Sequence, residues 1–149
     1  MKAFKFATFV VLFLTSCMFI SCSDDDDDKN NNSGDLIGTW ESVRTIEWEK
    51  ENGHTYGSTD WEEDTNLRYE FTSDGIAKAY SYYSNSWHLD SEASYRYSNG
   101  KLVINFNEDG ESYTNEANVL SLDANTLILE TYQSEGGYEY YFKGEFRKI

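Results

Sequence analysis

The chain has 149 residues, and its 27 acidic against 12 basic side chains leave a net charge of −15. This balance excludes nucleic acid as a partner, because a polyanion would be repelled and no cluster of Lys or Arg is present to hold its phosphates. Both cysteines precede Ser23, so the chain that follows has no disulfide and must be held together by its core. The stretch 35–149 suits one domain and is short for two.

The first segment is a hydrophobic leader. Two lysines precede an almost wholly apolar run from Phe6 to Ile20, and Ser21 separates that run from Cys22. This pattern predicts a signal peptide over residues 1–21, which is removed and does not join the fold. A transmembrane anchor is the alternative, although the run is slightly short of the ~20 apolar residues that a spanning helix needs.

The end of the leader resembles the lipobox of bacterial lipoproteins. Phe19-Ile20-Ser21-Cys22 fits that motif, which implies that Cys22 becomes the lipidated first residue; Cys17, after Leu14-Thr15-Ser16, is the rival acceptor. The aspartates from Asp24 to Asp28 resemble the acidic signal that sends Bacteroidetes lipoproteins to the outer face of the outer membrane. The resemblance implies an outer-membrane, lipid-anchored protein exposed at the cell surface.

Residues 22–34 are predicted to form an acidic, disordered tether that carries the lipidated cysteine. From Ser23 to Gly34 there is no apolar residue, so this stretch cannot bury enough surface to order itself. Calcium binding by the aspartates is the alternative, but a flexible string of carboxylates offers an ion no fixed geometry. The folded domain is therefore expected over residues 35–149.

The domain is predicted to be all-β. It contains no proline, and short runs of alternating apolar and polar residues are separated by Gly, Asn, Asp and Ser. Thr72-Ser73-Asp74-Gly75 and Asn99-Gly100 predict hairpin turns. The long segment from Glu51 to Asp64 is interpreted as a loop. Eight strands are predicted, at Gly38–Lys50, Leu67–Phe71, Ile76–Tyr83, Trp87–Tyr97, Leu102–Phe106, Ser112–Leu122, Thr126–Tyr132 and from Tyr138 onward.

Alternation within the strands predicts which side chains face inward. In the first strand Trp40, Ile46 and Trp48 share one parity, and Glu47 lies on the other. The side chains expected to meet across the interior are Trp40, Tyr69, Phe71, Ile104, Phe106, Tyr140 and Phe142.

Short turns join each predicted strand to the next, so the strands form an antiparallel meander. Eight such strands close into an up-and-down barrel, which removes exposed edges and encloses either packed side chains or one small ligand. Gly38-Thr39-Trp40 resembles the Gly-X-Trp opening of lipocalin-like families. The resemblance implies a lipocalin-like barrel in which Trp40 plugs one end and Arg147 packs over its ring.

Catalytic and metal-binding motifs do not emerge. His54 and His88 lack partners at metal-ligand spacing, and there is no Gly-x-Ser-x-Gly elbow, phosphate-binding glycine loop or thiol nucleophile. A glycosidase-type carboxylate pair is the remaining catalytic option, but abundant acids make it uninformative. We therefore predict a protein that is not an enzyme and that uses no cofactor or metal. Calcium held by Asp60, Glu62 and Asp64 is the alternative.

Aromatic residues are the better indication of function. The chain has 4 Trp, 12 Tyr and 9 Phe, most of which are expected to fill the core. Some must face outward, and aromatic platforms beside carboxylates can grip sugar rings or amphiphiles. The candidate ligand-binding residues are Trp61 and Trp87, followed by Trp48, Tyr83 and Tyr141.

Two functions follow from a small acidic barrel. In the first, its interior or mouth binds a small amphipathic or glycan ligand. In the second, the barrel is filled and its exterior serves as a non-catalytic, protein-interaction subunit of an envelope complex. An interior cavity of about 300 Å³ or more would favour the first function.

Overall fold

The computed structural model describes residues 33–108 and 111–149. The predicted signal peptide, the lipidation site Cys22 and the aspartate run lie outside the described residues. A four-residue helix, α1 (Ser33–Leu36), begins just before the predicted domain boundary. The strands that follow are β1 (Gly38–Glu51), β2 (His54–Glu63), β3 (Leu67–Phe71), β4 (Ile76–Tyr83), β5 (Ser86–Ser98), β6 (Lys101–Glu108), β7 (Glu111–Leu122), β8 (Thr126–Glu135) and β9 (Tyr138–Lys148). In this part of the chain no helix is long and apolar enough to cross a membrane.

The strands form one closed antiparallel barrel. From β3 to β9 each strand pairs with the next along the chain, and β9 returns to pair with β1. β3 pairs with the first part of β1, and β2 pairs with the second part of β1. β2 and β3 therefore lie end to end beside β1 and together occupy one strand position of the barrel. The nine segments therefore fill eight positions, and the predicted eight-stranded up-and-down barrel is confirmed.

The prediction of a loop from Glu51 to Asp64 is wrong, because most of this segment is β2. Glu51 pairs directly with His54, which leaves Asn52 and Gly53 as a two-residue turn. Both turn residues have positive φ, 51° and 81°. Asn-Gly is the preferred sequence for such a turn, since its backbone twist matches that of the flanking strands. The local sequence Asn52-Gly53 therefore already indicated a hairpin at this position.

A β-bulge in β1 changes which side chains face inward. Ser42 pairs with Phe146 and Arg44 with Glu145, so Val43 is an extra residue without a partner on β9. A bulge of this kind inverts the alternation of the residues that follow it. Trp48 thus lies on the outer face, and the predicted shared parity of Trp40 and Trp48 is wrong.

One end of the barrel is filled by a buried core. Its members are Leu36, Trp40, Phe71, Ala77, Leu102, Leu127, Leu129 and Phe146. The Trp40 indole Nε1 donates to the Leu36 carbonyl over 2.8 Å, which holds α1 across this end. The Nζ of Lys148 lies 5.0 Å from the centre of the Trp40 ring and donates to the Asp35 carbonyl.

The expected partner of Trp40 therefore needs correction. Arg147 is exposed, because alternation along β9 from the inward Phe146 places it on the outer face. Lys148, one residue later, supplies the cation over the Trp40 ring instead. The cation–π contact implied by the resemblance is present, but through a different residue.

Candidate functional site: the barrel cavity

The other part of the barrel interior forms a cavity of about 650 Å³ that is open to solvent. Six of the residues predicted to face inward line it: Tyr69, Phe71, Ile104, Phe106, Tyr140 and Phe142. Trp40 lies in the core at the filled end and does not line the cavity. This volume lies within the range of small-molecule sites and above the threshold that separates a ligand-binding barrel from a filled one.

Small side chains on β4 and β5 leave this space open. Ala77 pairs with Ala93, and Ala79 pairs with Ser91, so two successive cross-strand pairs present little volume to the interior. All four residues line the cavity. Had these positions carried large aliphatic side chains, they would have met the aromatic rings on the opposite wall and filled the barrel.

Glu47 brings a carboxylate to this interior. The bulge at Val43 turns Glu47 inward, against the prediction from simple alternation, and its side chain lines the cavity. The Tyr140 hydroxyl donates to Glu47 Oε1 over 3.0 Å. Burial raises the pKa of Glu47 above its ordinary value, and the Tyr140 hydrogen bond opposes that rise only in part.

Two tyrosines complete the polar end of the cavity. Burial, followed by the negative charge of Glu47, raises the pKa of Tyr69 to about 12, so its hydroxyl is protonated at neutral pH. Burial and Glu47 raise the pKa of Tyr140 as well. Within the described residues the Tyr69 hydroxyl makes no hydrogen bond, although its side chain lines the cavity. A ligand is therefore offered a carboxylate and a phenol together.

A second cavity of about 390 Å³ adjoins this polar end. It lies between β1 and β2, where the pairing shifts between Thr45 and Glu47. Its acidic lining residues are Glu47, Glu62, Glu63 and Asp64. Glu47 lines both cavities, so it stands between the barrel interior and an acidic recess on the β2 side.

The five predicted ligand-binding aromatics all lie elsewhere, because none of them lines either cavity. Trp61 is half-buried on the outer wall, with the Arg44 guanidinium 4.6 Å and the Lys143 Nζ 5.7 Å from its ring centre. Trp48 stacks on Tyr141 with 5.5 Å between ring centres.

The remaining two candidates lie on the β4–β5 hairpin. Trp87 packs under the Arg68 guanidinium, 4.1 Å from the ring centre, and beside Tyr82. Tyr83 is exposed and stacks on His88. The predicted residues thus lie in two places: Trp48, Tyr141 and Trp61 near β1 and β9, and Trp87 and Tyr83 on the β4–β5 hairpin. Among the described residues no group of three His, Cys, Asp or Glu side chains could hold a metal ion.

Sequence reasoning missed Glu47 as a site residue. Simple alternation along β1 predicted that Glu47 faces outward. No local sequence feature marks Val43 as a bulge, because the extra residue is recognised only from the pairing of β1 with β9. The alanines that open the cavity were visible in the sequence, at inward positions of two adjacent predicted strands.

A closed up-and-down barrel with an internal cavity defines a binding-protein architecture of the lipocalin type. Residues 36–129, more than half of the chain, match the family described as the lipocalin-like domain, and the chain belongs to this family. No curated protein matches the sequence.

The chain is also similar to solved structures of bacterial and mammalian proteins. A lipocalin-like protein from Bacteroides uniformis is 18% identical, with 78% of this chain and 100% of that chain covered and a TM-score of 0.49. An uncharacterized protein from Bacteroides eggerthii is 15% identical, with 76% and 98% covered and a TM-score of 0.48. The bovine odorant-binding protein, solved with a selenium-containing odorant, is 14% identical, with 85% and 78% covered and a TM-score of 0.44.

Proposed function

We propose that this protein binds one small amphipathic ligand inside its barrel and carries out no catalysis. The observation that carries the proposal is the 650 Å³ cavity, whose walls are mainly aromatic, aliphatic and alanine side chains with fewer polar ones, among them Glu47, Asp90, Asn115 and Gln133. An apolar cavity with a few placed polar groups suits an amphiphile better than a glycan, which needs hydrogen bonds around its whole ring. Membership of the lipocalin-like family supports the same function.

The cavity volume speaks against the alternative of a filled barrel that acts only through its exterior. A subunit that used its outer face alone would gain stability from closing this space, because apolar cavities are costly to maintain. The paired small residues Ala77, Ala93, Ala79 and Ser91 keep it open instead.

Occlusion of the cavity tests the proposal. Phenylnaphthylamine, a neutral apolar fluorophore, would be titrated into the full-length chain and into two variants of adjacent residues on β5. Ser91→Phe places a ring in the cavity, whereas Glu92→Phe places the same ring on the exposed outer face. We expect Ser91→Phe to weaken binding at least about tenfold, or roughly 1.4 kcal/mol, and Glu92→Phe to leave it unchanged.

Circular dichroism would establish that both variants fold. Equal binding by Ser91→Phe and wild type would show that the ligand binds outside the barrel. The outer aromatic residues, including Trp48 with Tyr141, would then be the main candidate site.

We further propose that the protein is a lipoprotein of the outer membrane, anchored through Cys22 and exposed at the cell surface. The leader and the aspartates directly behind Cys22 support this proposal. Cys22→Ala should leave the precursor without lipid. Replacement of Asp24 to Asp28 by alanine should preserve lipidation but move the protein to the periplasmic face, as measured by protease accessibility on intact cells. Unchanged surface exposure would contradict the role of the aspartates.

A further inference from the structure

We propose that the ligand carries a cationic ammonium head, which pairs with Glu47, and an apolar tail, which fills the cavity along the β4–β5 wall. This inference rests on the proposed function and specifies its ligand class. Glu47 lies at the polar end of a mainly apolar cavity, beside the hydroxyls of Tyr140 and Tyr69. A carboxylate and a phenol next to an apolar volume match a molecule with a charged donor at one end.

Within residues 33–108 and 111–149 no side-chain cation in the interior pairs with Glu47. Three other charged side chains border the cavity: Lys78, Asp90 and Glu116. Lys78 lies between the inward Ala77 and Ala79 and therefore points outward, and Glu116 is held outside by an ion pair with Lys101. Asp90 is a second carboxylate, which accepts a hydrogen bond from the Ser81 hydroxyl, so it adds negative charge and not a counter-ion. None of the ion pairs within the described residues involves Glu47. The cost of burying the Glu47 carboxylate is not offset by a neighbouring protein cation. A ligand cation would therefore be attracted to Glu47 without competition from a protein cation.

The adjoining acidic recess favours a cation over an anion at the same point. Its carboxylates on Glu62, Glu63 and Asp64 surround the approach to Glu47 from the β2 side. Carboxylates lining a concave surface concentrate the negative potential there, and the net charge of −15 has the same sign. A fatty carboxylate would be repelled along this path and again at Glu47.

Protonation of Glu47 should abolish the preference for the ammonium head. The pKa of this carboxyl is raised by burial and by neighbouring negative charges, so it gains a proton at a higher pH than an ordinary glutamate. The titratable groups around it are Glu49 on β1, Glu62 and Glu63 on β2, Asp64 after β2, Tyr69 on β3, and Tyr138 and Tyr140 on β9.

A comparison of head groups on wild-type protein tests the inference directly. Decyltrimethylammonium, decanol and decanoate share one tail and differ in charge, and the quaternary ammonium keeps its charge at every pH. Each would displace phenylnaphthylamine from the full-length chain at neutral pH, below its micelle-forming concentration. We expect the ammonium to bind at least about tenfold more tightly than the alcohol, with decanoate weakest. Near pH 4.5, the ordinary pKa of the carboxyl, the preference for the ammonium should shrink.

Matched glutamine variants assign the preference to one carboxylate. Glu47→Gln should reduce ammonium binding to the level of decanol, while decanol binding stays within about twofold of wild type. Glu92→Gln makes the same chemical change on the outer face and should keep the preference, which separates pairing with Glu47 from general attraction by the acidic surface.

The outcomes distinguish failure of the cationic ligand class from failure of ligand binding inside the barrel. If decanol binds wild type as tightly as the ammonium, or if Glu47→Gln keeps the preference, the cationic ligand class is wrong while the binding function stands. If none of the three amphiphiles and no fluorophore binds, the proposed function falls with it. The series on wild type decides the question even if Glu47→Gln fails to fold.

Discussion

Trp40 provides the sharpest test of how this barrel is held together. Its side chain is 0% exposed, and it closes the filled end of the barrel beneath α1. Its indole also donates to the Leu36 carbonyl and lies under the Lys148 ammonium. Trp40→Ala would therefore remove packing, a buried hydrogen bond and a cation–π contact in one change.

The expected loss can be built from these contacts. Deleting a buried Trp side chain costs about 3–5 kcal/mol through lost burial and the cavity left behind. Part of that loss comes from the Leu36 carbonyl, which would stay buried without its hydrogen-bond donor; such a group typically costs about 1–3 kcal/mol. Trp40→Phe, which keeps a ring but removes the donor, should lose about 1–2 kcal/mol. A domain of this size has roughly 5–15 kcal/mol of stability, so the alanine variant should lose a large share of it.

Urea denaturation followed by far-ultraviolet circular dichroism would measure these losses. Trp48→Ala is the matched control, because Trp48 stacks on Tyr141 at the outer face and should cost only about 1–2 kcal/mol. In a thermal scan Trp40→Ala should lower the midpoint by roughly 10–20 °C. A loss for Trp40→Ala no greater than that for Trp48→Ala would refute the assignment of Trp40 as the core plug.

Three further predictions follow from particular contacts. Burial raises the pKa of Glu47, so the protonated carboxyl stabilises the fold below its ordinary value of 4.5, and this contribution is lost as pH rises through the raised pKa. Ligand-free Glu47→Gln should therefore match wild type in urea titrations at low pH and exceed its stability at neutral pH; a constant difference at both would contradict the burial of this carboxylate. Gly144→Ala should lose about 1–3 kcal/mol in the same assay, because the new Cβ would lie 2.5 Å from the Phe146 ring; an unchanged midpoint would show that the ring moves aside freely. Trp61→Ala should cost about 0.5–1 kcal/mol through its contact with Arg44, and a loss above about 2 kcal/mol would show that Trp61 belongs to the core.

The sequence alone determined the order and type of most of the elements, because these depend on local interactions. Alternation predicted the strands, and Asn99-Gly100 predicted a hairpin whose two residues have positive φ, 51° and 73°. Short turns implied antiparallel neighbours, and the strand number implied closure. The same local rule at Asn52-Gly53 would have identified β2, so that error came from the interpretation and not from a missing signal.

The side chains of the candidate site were decided by tertiary structure. The orientation of Glu47 depends on the bulge at Val43, which exists only in the register between β1 and β9. Whether Arg147 or Lys148 covers Trp40 depends on the alternation of β9 and on the Asp35 carbonyl that anchors the lysine. A local pattern states how neighbouring residues alternate, but the face that each one finally occupies depends on partners about a hundred residues away, at the position where the barrel closes.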